Sequence, residues 1–259
     1  MKNFGFLIVL LLSISTYSQD KISLTYTGNM GVLISDGKVS VLIDGLHEKY
    51  GADYLFPPQA LVQKIGSGFN GNPAPSLLLF THRHGDHYSA RLADNFLKEH
   101  PSSMLIGPGQ VTSQLQKQER AIKVATDSYA KQLFAHRDIL VKAFKMNHGG
   151  ARHKTVENTA FIISLGGLNI LHIGDTSWHE DIKMFDQLGL NEEDIDYLVI
   201  PYWMLLGENA EELLEKYLDG VKLIATHISP RIDKKDLNEI KKRYPKTVFL
   251  TQLEEKLKL

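Results

Sequence analysis

Short stretches rich in Val, Ile, Leu and Thr stand at residues 22–27, 31–35 and 40–44, separated by Gly-Asn and Asp-Gly. Such dipeptides close tight hairpins, so the pattern predicts an antiparallel meander. Residues 45–75 then scatter Gly, Pro and Asn around a short helical pattern at 59–65. An irregular stretch of that length is a candidate flap over a site. A continuous apolar strand at 76–80 leads through a polar loop, 81–87, into residues 88–99, where Leu92, Phe96 and Leu97 recur at helical spacing.

Further strands are predicted at 104–106, 139–146, 159–165, 169–174, 197–201, 221–226 and 247–251. Apolar positions three or four residues apart predict helices at 181–188, 210–218 and 234–243. Strands occupy both halves and no repeat or linker interrupts them. The economical architecture is two sheets sharing one core with helices outside.

The chain has 259 residues, 43% hydrophobic and 23% charged, which excludes disordered, collagenous and coiled-coil classes. Its 29 Lys and Arg nearly cancel 30 Asp and Glu, so there is no basic field to hold nucleic acid, and no such partner is expected. Without a single cysteine there is no disulfide framework, zinc-thiolate site or thiol nucleophile, and any metal must be held by His and carboxylate. Lys2, the uncharged and mostly apolar run at 4–14, and Thr16-Tyr17-Ser18 before Gln19 predict a signal peptide over residues 1–18. The run is shorter than the roughly 20 residues of a bilayer span. The expectation is therefore an exported protein, periplasmic or extracellular, with residues 19–259 forming one domain that has no transmembrane segment.

His82 and His84 sit two apart at the end of a strand, where period-two alternation points both rings the same way. Asp86 and His87 follow Gly85, whose missing Cβ permits a sharp change of direction. Together they form a candidate metal-binding loop. The run Thr81, His82, His84, Asp86, His87 resembles the T-H-x-H-x-D-H signature of the metallo-β-lactamase superfamily at every fixed position. His148, Asp175 and His227 each follow an apolar strand-like run in the order that family uses.

The resemblance implies an αββα sandwich, an α/β fold of two mainly antiparallel sheets flanked by helices. It implies that His82, His84 and His148 bind one metal, that Asp86, His87 and His227 bind a second, and that Asp175 bridges both. Two divalent ions, zinc first and manganese or iron as alternatives, suit these ligand types. They would hold a hydroxide between them for hydrolysis, with Asp86 orienting it or moving its proton. The missing Cys ligand and the bridging Asp175 depart from lactam hydrolases, and His84 stands where the flavodiiron branch has Glu. What remains resembles the branch that includes ascorbate-lactone hydrolase-like and N-acyl phosphatidylethanolamine phospholipase-like proteins. A small or lipid-like lactone or ester is the expected substrate. A phosphodiester, a metal-dependent oxidoreductase and a metal-binding module without catalysis are the alternatives. Oligomeric state is not legible.

Weaker expectations attach to other positions. Asp44 ends an apolar strand where an acid could support the histidine loop. His153, Trp178 and His179 lie near the ligands in sequence and are candidates to touch substrate. Leu55, Phe56, Tyr202 and Trp203 are candidates for apolar walls. His47, His100, His136 and His172 carry no assigned role.

Overall fold

A computed structural model describes residues 22–178 and 182–259. The expected signal peptide and His179 lie outside the described residues. Among the described residues the chain folds into two seven-stranded sheets. The first contains β1 (Ser23–Gly28), β2 (Gly31–Ser35), β3 (Ser40–Ile43), β4 (Leu77–Leu79), β5 (Met104–Pro108) and β6 (Ala121–Val124) in sequence order. The second contains β7 (Gln132–His136), β8 (Ile139–Lys145), β9 (Thr159–Leu165), β10 (Leu168–His172), β11 (Tyr197–Pro201), β12 (Lys222–Thr226) and β13 (Val248–Phe249). The last strand, β14 (Lys256–Lys258), returns to the first sheet and pairs antiparallel with β1.

The sandwich is the expected one, but its pairing is evenly mixed rather than mainly antiparallel. Hairpins join β1 to β2, β2 to β3, β7 to β8, β8 to β9 and β9 to β10, so these neighbours run antiparallel. Helices intervene elsewhere: α1 (Gln59–Ser67), α2 (Ala90–Glu99) and the short α3 (Gly109–Thr112) in the first half, then α4 (Ile182–Leu188), α5 (Ala210–Leu218) and α6 (Lys234–Arg243) in the second. A helical crossover carries the chain back over the sheet, so each strand that follows one lies parallel to its predecessor.

Strand alternation sorts side chains into three layers. Leu24, Tyr26, Val32, Ile34, Val41 and Ile43 face inward and meet Val141, Phe161, Ile163 and Val199 from the second sheet. On the opposite face of the same strands Leu33, Leu42 and Leu78 pack under α1 and α2 through Leu61, Ile65, Phe96 and Leu97. On the far side Phe144, Ile162, Leu171 and Leu198 pack under α4 and α5. In α5 the buried residues Ala210, Leu214, Tyr217 and Leu218 fall on one stripe of the helix. The predicted helix at 88–99 begins later, at Ala90, because the Ser89 hydroxyl accepts the Leu92 N–H and caps it there. No helix among the described residues is long and apolar enough to cross a membrane.

Strands β4, β8, β10 and β12 all end at the same edge of the sandwich, and His82, His148, Asp175 and His227 follow those ends.

Candidate metal centre

The expected residues converge. One group is His82, His84 and His148; the other is Asp86, His87, Asp175 and His227. Within each group the donor atoms lie no more than 4.8 Å apart. Asp175 faces both, with its Oδ2 3.9 Å from His148 Nε2 and 3.4 Å from His227 Nε2, and its Oδ1 3.3 Å from His87 Nε2.

The loop that carries four of these residues is a tight turn, in which the His87 and Tyr88 N–H groups both donate to the His84 carbonyl. Gly85 serves that turn by close approach rather than by a left-handed backbone: a Cβ there would meet the Tyr50 ring at 2.8 Å. Asp44 holds the loop from below, as expected of a supporting acid. Its fully buried carboxylate accepts the Thr81 N–H at 2.8 Å, the Thr81 hydroxyl at 2.6 Å and His87 Nδ1–H at 2.9 Å. That last bond keeps a proton on Nδ1 and turns Nε2 toward the centre, where a cation could replace its proton. On His148 the same arrangement recurs, with Nδ1–H donating to the Gly149 carbonyl at 2.7 Å.

Asn29 is a site residue that reading the sequence missed. It was visible only as half of a Gly-Asn hairpin turn. Buried in the β1–β2 connection, it donates from Nδ2 to both the main-chain oxygen and Oδ2 of Asp86, each at 3.0 Å, while its carbonyl accepts the His227 N–H at 2.9 Å. Asn29, Asp44 and His227 all have left-handed backbones, with φ of 51°, 47° and 58°. Such conformations outside glycine cost energy and gather where a site needs side chains aimed. The φ of an unbranched Asn or Asp is tolerated there, which is the one local signal that could have singled Asn29 out.

Electrostatics divide the two groups. Burial holds His82 far below its ordinary value, assisted by His87, and pushes His84 down to about 4 with help from His148. Burial likewise lowers His148. All three shifts favour the neutral imidazole, the form that can ligate a cation. Burial would lower His87 and His227 too, but the Asp175 carboxylate overrules it and raises both. Burial in turn works against ionised Asp175, and the attraction of His87 and His227 overrules that and holds it well below the carboxylate range. The metal-free second group is thus a self-neutralising cluster of imidazolium and carboxylate.

The residues present fit a pair of cations. Nitrogen and carboxylate donors in sets of three and four match divalent transition ions. His82 Nε2 is buried without a hydrogen bond. An unsatisfied buried polar atom costs about 1–3 kcal/mol, and a shared ligand at the centre removes that cost.

Above the centre lies an open cavity of about 390 Å³. Its walls include Tyr50 and Tyr54 from the 45–75 segment, Arg152, His153 and Trp203. The Trp203 indole donates to the Thr176 carbonyl at 2.9 Å and sets its ring 4.6 Å from that of His227, while Tyr54 approaches His227 from another side at 5.5 Å. Trp203 and His153 therefore stand where the sequence suggested. The other expected walls do not. Phe56 lines a separate cavity between α1 and α2, and Leu55 and Tyr202 pack against core clusters. Trp178 is buried beside Phe185 with its indole N–H on the Met204 carbonyl, so it cannot touch substrate. The segment does cover the site, but presents tyrosines two and six residues upstream of Phe56.

A sandwich of two mixed sheets with histidines and acids gathered at one edge defines the metallo-β-lactamase fold. The sequence matches the family model described as the beta-lactamase superfamily domain over residues 23–216, and the chain belongs to that superfamily. Among curated proteins none is similar in sequence. Solved structures are similar in fold. A novel metallo hydrolase from the archaeon Ignicoccus hospitalis shares 15% identity at a TM-score of 0.61, covering 92% of this chain and 98% of that one. A possible metal-dependent hydrolase from Veillonella parvula shares 13% at 0.65, covering 92% and 100%. The isothiocyanate hydrolase from Delia radicum gut bacteria shares 14% at 0.62, covering 92% and 99%.

Proposed function

We propose that the protein is a dinuclear metal-dependent hydrolase of small lactones or carboxylic esters. The observation that carries this reading is the pair of ligand groups meeting at Asp175 beneath one open cavity. His82, His84 and His148 would hold one cation and Asp86, His87 and His227 the other, zinc being the first choice for this donor set. When bound, such a pair acidifies water and stabilises negative charge on the attacked centre.

The chain's own groups supply the remaining steps. Burial works against ionised Asp86, but attraction to His87 overrules it and holds the carboxyl below its ordinary value, so the carboxylate is ready to orient a water and take its proton. Asn29 fixes that carboxylate's direction. Trp203 and Tyr54 flank His227 and narrow the space open to bulk water. Among the described residues the lining is rich in imidazole and carboxylate, with apolar surface chiefly from the three aromatics, which favours a small substrate over a lipid-like one. Export through residues 1–18 is part of the proposal, and N-terminal sequencing of secreted material beginning at Gln19 would support it.

The direct experiment is elemental analysis followed by a screen of lactones, carboxylic esters, phosphodiesters and β-lactams with and without chelator. Two ions per chain and chelator-sensitive turnover of a lactone or ester are expected. Brisk cleavage of bis-p-nitrophenyl phosphate with every lactone and ester ignored would replace this reading with a phosphodiesterase.

A further inference from the structure

Arg152 stands alone in its charge. Among the described residues no other Lys or Arg lines the cavity above the centre, and the remaining ionisable walls are imidazoles, tyrosines and the two acids Asp86 and Asp175. It sits in a short helical turn, residues Ala151–His153, two glycines after His148. Its side chain is exposed, yet anchored: Nε donates to His153 Nε2 at 2.9 Å. The His153 ring in turn packs 4.9 Å from His84 and 4.7 Å from His148, so the guanidinium is referenced to the first ligand group through one intervening imidazole. With Nε engaged, the two terminal nitrogens form the free end of the fork.

That arrangement matches one kind of ligand group. A guanidinium fork presents two parallel N–H donors, the geometry of a carboxylate's two oxygens. A phosphate would bring a third oxygen for which the described residues of the cavity wall offer no further cationic side chain. Resting on the hydrolase reading, we propose that the substrate carries a carboxylate away from its scissile bond, and that Arg152 binds it while the reacting group lies over Asp175. Tyr50, Tyr54 and Trp203 would then flank the stretch between the two ends. Arg152 would be a specificity-determining residue, selecting a lactone or ester with an acidic tail against neutral ones.

The test measures binding without turnover, so it answers even for a protein that hydrolyses nothing. The metal-loaded protein is titrated calorimetrically with butanoate, glutarate and glutaramate. The first carboxylate of each is available to the centre, and only glutarate offers a second. In the wild type glutarate is expected to bind about tenfold tighter than either companion, the scale of one charge-assisted contact at a half-open site. In Arg152→Ala that ratio falls toward one, and in Arg152→Lys it lies between. Equal binding of the three probes by the wild type overturns the proposal, as does a ratio that survives Arg152→Ala. Failure of the hydrolase reading would show instead in the substrate screen, where no ester or lactone is turned over whatever its charge.

Discussion

Replacing Asp44 by asparagine keeps the size of the side chain and exchanges one acceptor for a donor. The wild-type carboxylate takes three hydrogen bonds with no exposure to solvent: Thr81 N–H on Oδ1, then the Thr81 hydroxyl and His87 Nδ1–H on Oδ2. An amide has one oxygen to share. If it stays on Thr81 N–H, the NH2 group faces His87 Nδ1 and requires that nitrogen to accept, which moves the imidazole proton to Nε2 and blocks the atom aimed at the centre. If the amide flips, NH2 meets Thr81 N–H and a donor is left facing a donor, at about 1–3 kcal/mol for the unmade bond. Either arrangement weakens the second cation, and losses at such outer supports run to about 10–100-fold in metal affinity. Asp44→Asn is therefore expected to fold, to lose about 1–3 kcal/mol of stability, and to bind its second ion about 10–100-fold more weakly. Chelator competition measures the affinity, and nitrogen NMR of the His87 ring reads which nitrogen carries the proton. A variant that binds both ions within twofold of the wild type, with an unchanged His87 ring, would refute the reasoning.

Other expectations follow from the same fold. Gly174→Ala places a Cβ 2.4 Å from Asn158 Oδ1 and 2.8 Å from Thr81 Cβ at a φ of +59°, and should cost about 2 kcal/mol or more in urea unfolding; a loss below half a kilocalorie would mean the turn relaxes freely. His47, held from 6.5 down to about 4 chiefly by burial, stays neutral in the folded state while the unfolded chain takes up its proton first. Its contribution is present above pH 6.5 and lost as pH falls toward 4, a difference of about 3 kcal/mol. His47→Gln should flatten the metal-free stability curve across that window, and parallel curves would assign the acid sensitivity elsewhere. Because Asp175 raises His87 and His227, metal uptake near pH 7 should release protons, seen as a buffer-dependent heat in calorimetry; identical heats in two buffers of different ionisation enthalpy would count against protonated rings.

Long apolar stretches announced themselves. Strands at 159–165 and 197–201 and helices at 210–218 and 234–243 have the bounds that periodicity predicts. Three of the four edge strands did not. In β7, Leu133 points outward at 67% exposure and the neighbouring Phe134 is only half-buried, so no clean alternation exists to read. β6 and β14 are short, and β14 depends on a partner at the other end of the chain. The same distinction holds at the site. His82, His84, Asp86 and His87 are legible because their spacing is local, whereas Asn29, Tyr50, Tyr54 and Arg152 matter through a hairpin, a long segment and a turn that only the folded chain brings together. Phe56 misled because apolarity shows that a residue is covered, not by what.

Each ligand group draws on both halves of the sandwich. His84 and His148, whose ring nitrogens lie 3.2 Å apart, are separated by 64 residues, and His227 comes from the far end of the second sheet to meet Asp86. A cation held at such a junction closes long loops of chain, as a covalent crosslink would, and its binding energy adds to folding energy. In a protein with no cysteine, the two ions would act as reversible staples across the sheets. Durability would then rise with the logarithm of free cation concentration and be indifferent to reductants, so that starvation for metal would loosen the molecule as well as silence it.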